Sequence, residues 1–482
     1  MTTKQTALLA VLFFACATLA FCSPDFADIV ARSQSLPERR ELLSTISFTI
    51  HHPEDQTSIQ RRTVGDATFN SHHSMTLSFR ALDRQFSASL HHNAELFADD
   101  ALISEFEDDE LVQSFTPRSN AYLGEALIDG KDKAMVSAVL VDEEQGIFHM
   151  SINNEESGES FVVEPTYLHP TLFKRSFDNE LHDMLGNHMV VFQENLHDLN
   201  NMLQNIQHSA RQQEKEEEEQ QANLSCGTPD DEDVAVDEEE EEDNQDFADA
   251  SPTSSCPPRS STYLQMGVAT DNQYVRKAGG SSGARNTISY VFNTLQSKYY
   301  SAVRNKPVIK SLLIHSSASS LGFNTASCPS DVQSRLSPFC SWRTRQGDRS
   351  IGLWHLLSGC LPDRSGVAGR AYYGAICLYT TRGCGITGYM GGNARWVIPA
   401  HEIGHNFGAR HSSNIMAASV NSRATAFPSV AVSQMCQYTF RVSARTACLT
   451  TSAPSGARLA EGQEAEAGEE QSSAASTRML FW

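Results

Sequence analysis

His401-Glu402-Ile403-Gly404-His405-Asn406-Phe407-Gly408-Ala409-Arg410-His411 constrains this chain more than any other stretch. On a helix, His401 and His405 stand four residues apart and project from one face, so both can reach a single metal ion. Glu402 follows the first imidazole, where a carboxylate can hold a water proton without ligating the metal. Gly408 can take a left-handed backbone, which lets the helix end and the chain turn back to deliver His411. Three neutral imidazoles leave the fourth position of a tetrahedral zinc ion open, the arrangement of a catalytic rather than a structural site. Between Ser261 and Thr450, Glu402 is the only glutamate. A region that otherwise avoids glutamate keeps one where a general base would be needed.

The ends and the cysteines suggest a compartment. Residues 1–22 read as a secretory signal peptide, with Lys4, an apolar run over Ala7–Phe21 and a small-residue pattern at Ala20-Phe21-Cys22 before Ser23. That run is shorter than the ~20 residues of a membrane span, so a secreted, extracellular protein without a membrane span is expected. Export favours disulfides, and eight cysteines (Cys256, Cys328, Cys340, Cys360, Cys377, Cys384, Cys436 and Cys448) form an even set in or just before the region of the histidine motif. Their pairing stays open, since eight cysteines allow 105 connectivities. Cys226 is left over.

Charge and periodicity divide the chain. Residues 1–260 carry a net −33, residues 261–450 a net +14 and the last 32 residues −3. Opposite signs favour docking of the first part on the second, and attraction of acidic partners. Short alternating runs over Thr45–His51, Ser74–Phe79, Phe86–Leu90 and Ala134–Val141 predict a β-rich region. Phe192, Leu196, Leu199, Leu203 and Ile206 predict an amphipathic helix within Phe177–Ala210. The acidic runs Glu214–Glu219 and Asp230–Asp249 predict a disordered linker. Tyr263–Ala269, Val308–His315 and Gly369–Tyr373 read as strands, and Asn286–Tyr300 and Asn393–Phe407 as helices. Pro399 is expected to start or kink the latter. The expected organisation is therefore a signal peptide (1–22), a β-rich amino-terminal domain (23–211), an acidic linker (212–258), an α/β (α+β) domain with the metal motif (259–450) and a disordered tail (451–482). Twelve of the 17 histidines lie before residue 209, either as solvated surface groups or as sites whose protonation in acid would loosen the docking.

The motif resembles that of the metzincin zinc endopeptidases, and the surrounding segments are similar to the adamalysin/reprolysin (ADAM-type) family. Ser74–Ala81 and Gly158–Pro165 resemble its β-rich propeptide, Met266–Asp271 its first strand, and Gly369–Cys377 its edge strand. The resemblance implies a metzincin catalytic domain with a twisted mixed sheet and a zinc-binding active-site helix, preceded by a β-rich propeptide domain. It implies one catalytic Zn²⁺ on His401, His405 and His411, Glu402 as catalytic base, Met416 as the Met-turn beneath the metal, and Gly369, Arg370 and Ala371 as the strand on which substrate pairs. Cys226-Gly227-Thr228-Pro229-Asp230 resembles the matrixin cysteine switch, in which a thiolate fills the open zinc position of a latent form. Asn223-Leu224-Ser225 is a glycosylation sequon directly before it.

Several features depart from the adamalysin pattern. Ser412 stands where adamalysins usually have Asp, the spacing from His411 to Met416 is short, and no Cys-rich disintegrin module follows. Two alternatives accompany the main reading: a matrixin-like secreted protease, and a non-catalytic binding or adhesion protein on the same scaffold. Expected partners are protein or peptide substrates, with acidic ones favoured by charge, and the chain's own propeptide as inhibitor. Nothing points to nucleic acid. No furin-type basic site precedes the catalytic region: Arg259 is the only basic residue between Lys215 and Tyr263.

Overall fold

Met75, Leu77, Phe79 and Ala81 alternate with exposed residues along one strand, and Phe86, Ala88 and Leu90 do the same on its neighbour. This two-residue period buries one face of a sheet and leaves the other to solvent. A computed structural model describes residues 40–51, 74–169, 188–194, 225–226, 261–329, 331–361, 367–445 and 448–451. The signal peptide, Asn223, Cys256, nearly all of the acidic linker and of the tail lie outside these residues.

The amino-terminal strands are β1 (Arg40–Leu43), β2 (Ser47–His51), β3 (Ser74–Ala81), β4 (Arg84–His92), β5 (Phe97–Glu107), β6 (Glu110–Phe115), β7 (Ala121–Ile128), β8 (Asp132–Asp142), β9 (Ile147–Asn153), β10 (Ser160–Pro165) and β11 (Met189–Gln193). Nine of them make an antiparallel sheet in the order β1-β11-β10-β9-β8-β7-β4-β3-β2. One expectation fails here. Met189–Gln193 is a strand, and Phe192 pairs with Arg40 on one side and Val162 on the other. Val190, Val191 and Phe192 are all buried, so sheet pairing on both edges overrides the helical spacing. The rest of the predicted stripe lies outside the described residues.

The remaining elements are β12 (Ser225–Cys226), β13 (Thr262–Thr270), α1 (Asn272–Lys277), α2 (Ser281–Val303), β14 (Asn305–His315), α3 (Gln333–Arg343), β15 (Leu353–Ser358), β16 (Val367–Ala371), β17 (Cys384–Gly388), α4 (Ala394–Asn406), α5 (Ser429–Arg445) and β18 (Leu449–Thr450). They build a mixed sheet in the order β12-β16-β17-β15-β13-β14-β5-β6. The alternation of strands and helices gives the expected α/β architecture. One thing differs from what the sequence led us to expect. Strands β5 and β6 leave their own sheet and extend this one, with β5 parallel to β14. Helix α4 spans Ala394–Asn406, close to the expected Asn393–Phe407, and of the two roles open to Pro399 the start of the helix is excluded.

Disulfides join Cys328 to Cys360, Cys340 to Cys384 and Cys377 to Cys448, and Cys436 is also bonded. Behind β13 a buried carboxylate organises the loops. Asp271 accepts from Tyr274 N at 2.7 Å, Gly359 N at 2.8 Å, Arg335 Nη1 at 3.1 Å and the Ser358 hydroxyl. Arg335 also donates to the carbonyls of Thr325 and Ser327, tying the loop before α3 to the sheet. Removing one partner of such a buried pair strands the other charge. Arg335→Ala should therefore lower unfolding stability by about 3–5 kcal/mol, read by denaturant titration. A change below about 1 kcal/mol would mean that Asp271 needs no partner.

Candidate active site

The active-site helix is fixed at both ends. At its C-terminal end Gly374 N donates to His405 O, and Ala375 N and Ile376 N donate to Asn406 O, which satisfies carbonyls that the helix itself cannot. Along its length Tyr299 of α2 donates to Ala400 O at 2.7 Å. The Asn406 side chain donates to Tyr372 O and Cys384 O, holding the helix against the sheet. At the N-terminal end Gly392 N donates to Glu164 Oε1 at 3.2 Å and Asn393 N to Glu194 Oε1 at 2.6 Å. These two carboxylates come from the amino-terminal region. Sequence reasoning did not single them out, because nothing local marks a glutamate that docks 200 residues away.

His401, His405 and His411 come together as the spacing predicts. His405 Nε2 lies 2.9 Å from His401 Nε2 and 3.2 Å from His411 Nε2. Gly408 ends the helix with φ of +85° and the chain reverses to bring His411 in. His401 Nδ1 lies 2.7 Å from Ile415 O and His405 Nδ1 2.7 Å from Ala409 O. A carbonyl only accepts, so both Nδ1 atoms carry the proton and both Nε2 atoms present lone pairs. Burial pushes the two imidazoles down to about 3 for His401 and about 4 for His405, so both are neutral at physiological pH.

These residues fit a zinc ion. Neutral nitrogen bases aimed at one point repel each other unless a cation lies between them. A tetrahedron with Zn–N bonds of ~2.0–2.1 Å has edges of roughly 3.3–3.4 Å, close to the spacings seen here. Among the described residues these three are the metal-ligating group, their donor atoms all within 4.8 Å of one another.

The other site residues surround this point. Glu402 is buried, and strand β16 passes directly over it. A Cβ placed on Gly369 would stand 2.6 Å from Glu402 Oε1, so only glycine allows the strand this close. Met416 is buried in the turn after His411, and a Cβ on Gly404 would meet its Sδ at 2.7 Å. The methionine therefore lies against the helix between the first two histidines. Gly369, Arg370 and Ala371 pair with Thr387, Ile386 and Gly385 on one side. On the other side Ser225 and Cys226 pair in parallel with Val367 and Gly369, so the backbone of Cys226 lies opposite the glycine that covers Glu402. A narrow recess of about 20 Å³ beside Glu402 and His401 is lined by Ala368, Val397, Ile398, Ala418 and Val420. A wider, open concavity on the outer face of β2, β3, β4 and β7 lies away from the histidines and holds no comparable cluster.

This arrangement is a three-histidine metal site with a buried carboxylate beside it. Residues 259–453 match the reprolysin-type model of metallo-peptidase family M12. Over 199 residues the chain is 28% identical to the disintegrin and metalloproteinase domain-containing protein B of Aspergillus fumigatus, an alignment covering 39% of this chain and 24% of that protein. The chain thus spans about a quarter of the length of that relative. A solved chain from the structure of a chaperone–substrate complex overlaps 38% of this chain and 36% of its own at 14% identity and a TM-score of 0.27, too low to bear on the fold. The first two of these matches support a metzincin domain of the reprolysin/ADAM type over residues 259–453, and members of the M12 family are zinc peptidases.

Two outcomes follow for the site. His405→Ala should reduce bound zinc from one equivalent to a small fraction, measured by elemental analysis of the purified chain. Gly369→Ala should keep its zinc but lower kcat by roughly ten- to a hundred-fold by displacing Glu402. Unchanged turnover would show that the strand can move away without cost.

Proposed function

We propose that this chain is a secreted zymogen of a zinc endopeptidase, with Glu402 as general base and Cys226 as the group that keeps it latent. The observation that carries the reading is the convergence of three imidazole Nε2 atoms beside a buried glutamate under a strand. When bound, zinc supplies Lewis acidity toward the scissile carbonyl and toward water. His401, His405 and His411 hold it through Nε2, while the carbonyls of Ile415 and Ala409 keep the first two rings in the ligating tautomer. Glu402 takes a proton from the attacking water on its carboxylate and passes it to the leaving amine nitrogen. Gly369, Arg370 and Ala371 orient an extended substrate through backbone hydrogen bonds. Met416 supports the histidines from beneath.

Latency is supported by the position of Ser225–Cys226, which occupies the edge of β16 that a substrate would need. A thiolate from Cys226 is a suitable fourth zinc ligand. The signal sequence and the disulfides favour an extracellular setting, with a glycan on Asn223 beside the switch. No helix among the described residues is long and apolar enough to cross a membrane. Activation by cleavage between Gly227 and Tyr263, through autolysis or another protease, fits the lack of a furin-type site.

Glu402→Ala in the processed protein should retain zinc and lose peptide hydrolysis by roughly 10²–10⁴-fold or more. Activity equal to that of the parent, or activity resistant to a chelator, would refute the zinc-peptidase reading. Cys226→Ala should make the uncut full-length chain active on a peptide library. An uncut Cys226→Ala chain as silent as the parent would remove the thiol from the latency mechanism.

A further inference from the structure

The two regions are also joined by contacts that owe nothing to Cys226. On the edge of the catalytic sheet opposite β16, β5 pairs in parallel with β14 from Phe97↔Ile309 through Leu102↔Ser311 to Phe106↔His315. Strand β6 then closes the new edge. The tip of this hairpin is also held, with Asp108 N donating to Ser317 Oγ and Ser320 N to Asp109 Oδ2 at 2.9 Å. Ion pairs line the junction with the acid always from the amino-terminal side: Glu95 with Lys306, Asp100 with Lys310, Glu105 with Arg285, Glu155 with Lys298 and Glu164 with Arg395.

The face of α2 that meets the amino-terminal sheet is polar. Asn293 donates to Tyr122 O and Ser137 Oγ, Thr294 bonds Ser137, and Asn93 donates to Asn293 and Gln296. Beside this polar stripe the junction is apolar, since Leu96, Phe97, Ile103 and Val139 share one buried core with Val308 and Ile309. The deepest contact is Glu164, fully buried, with Arg395 Nη2 at 3.2 Å, His169 Nε2 at 2.7 Å and His149 Nε2 at 3.7 Å. The His149 ring stacks on Tyr290 of α2, and the Arg395 guanidinium lies over Tyr389.

We propose that residues 40–193 remain a bound subunit of the catalytic region after the acidic linker is cut, with the Glu164–Arg395 contact as an acid-sensitive fastener. Paired β-strands, ion pairs of one polarity and a buried carboxylate make a junction that does not need the connecting chain. A shared apolar core, with Phe97, Ile103 and Val139 packed in one cluster with Ile309, Leu312 and Ile314, adds to the hold between the two parts. Acid acts through the histidine beside the carboxylate. Burial holds His149 down to about 4, against its attraction to Glu164 and with repulsion from Arg395 and His169. Burial would raise the Glu164 carboxyl, but Arg395, His149 and His169 outweigh it and hold it well below the usual range, so it stays charged in mild acid. Tyr290, Tyr389 and Tyr274, which also face this cluster, are all pushed upward by burial and stay neutral. His315, stacked on Phe106 of β5, is likewise held low by burial.

The sign of the pH effect follows from which state takes up the proton. A released His149 titrates near ~6.5, so it gains a proton that the docked form refuses, and docking is fully present above that pH and lost toward 4. For His149 alone the dissociation constant should rise about 30-fold between pH 7.5 and pH 5.

The test uses the full chain carrying Glu402→Ala, which prevents self-digestion, and Cys226→Ala, which removes any thiol–zinc link. A site-specific protease sequence is inserted within the 230–249 acidic run. After cutting, the two fragments should co-elute on size exclusion at pH 7.5 and separate at pH 5 when diluted near the dissociation constant. Separation at pH 7.5 overturns the bound subunit. Retention at pH 5 equal to that at pH 7.5 overturns the fastener. Glu164→Gln should weaken neutral retention at least ten-fold, and Glu105→Gln on the strand edge gives an independent weakening should the first variant fold poorly. Because Glu402 is absent throughout, failure here leaves the peptidase reading standing, and failure of that reading leaves this one.

Discussion

Two hydrogen bonds from imidazole Nδ1 atoms to backbone carbonyls hold the active site together. His401 reaches forward to Ile415 O and His405 to Ala409 O, so the same contacts that fix the tautomers tie the returning chain to the helix. Without the turn at Gly408 there would be no carbonyl at Ala409 in the right place, and His411 would point elsewhere. Without the carbonyls the rings could rotate or expose the wrong nitrogen. Metal affinity, the position of Met416 and the room left for Glu402 all depend on this short closed loop of contacts.

The same helix is a meeting point for the whole chain. Its C-terminal end is capped from residues 374–376 and its N-terminal end by Glu164 and Glu194 of the other region. Carboxylates at a helix N-terminus meet both the unpaired N–H groups and the positive end of the helix dipole. A region that supplies those carboxylates and also lays Ser225–Cys226 along β16 touches the catalytic machinery from two directions. The acidic excess of the first half and the basic excess of the second find their structural expression in the ion pairs across this junction.

Much of the domain around the motif could be read from the sequence because its signals are local. Strand β13, helix α2, strand β14 and helix α4 lie within a few residues of their expected positions, since apolar runs and helical spacing report on backbone form directly. Strands β15 and β17 escaped notice for physical reasons. Leu353–Ser358 is buried throughout and shows no alternation, and Cys384–Gly388 is short and contains two glycines. Phe192 shows the converse error, a helical stripe continued into a segment that sheet pairing had already claimed.

The sequence by itself determined the chemistry. Three histidines and one glutamate at fixed spacing can serve one metal and one proton, because helix geometry and a single glycine turn place them with little outside help. Only the tertiary structure decided what surrounds that chemistry: that the amino-terminal region completes the catalytic sheet through β5, that Glu164 meets Arg395, and that Gly369 crosses over Glu402. Such pairings join residues up to about 230 positions apart, as in Glu164 and Arg395. Their energy comes from burial and from partners that neither segment can specify alone, so no local pattern announces them.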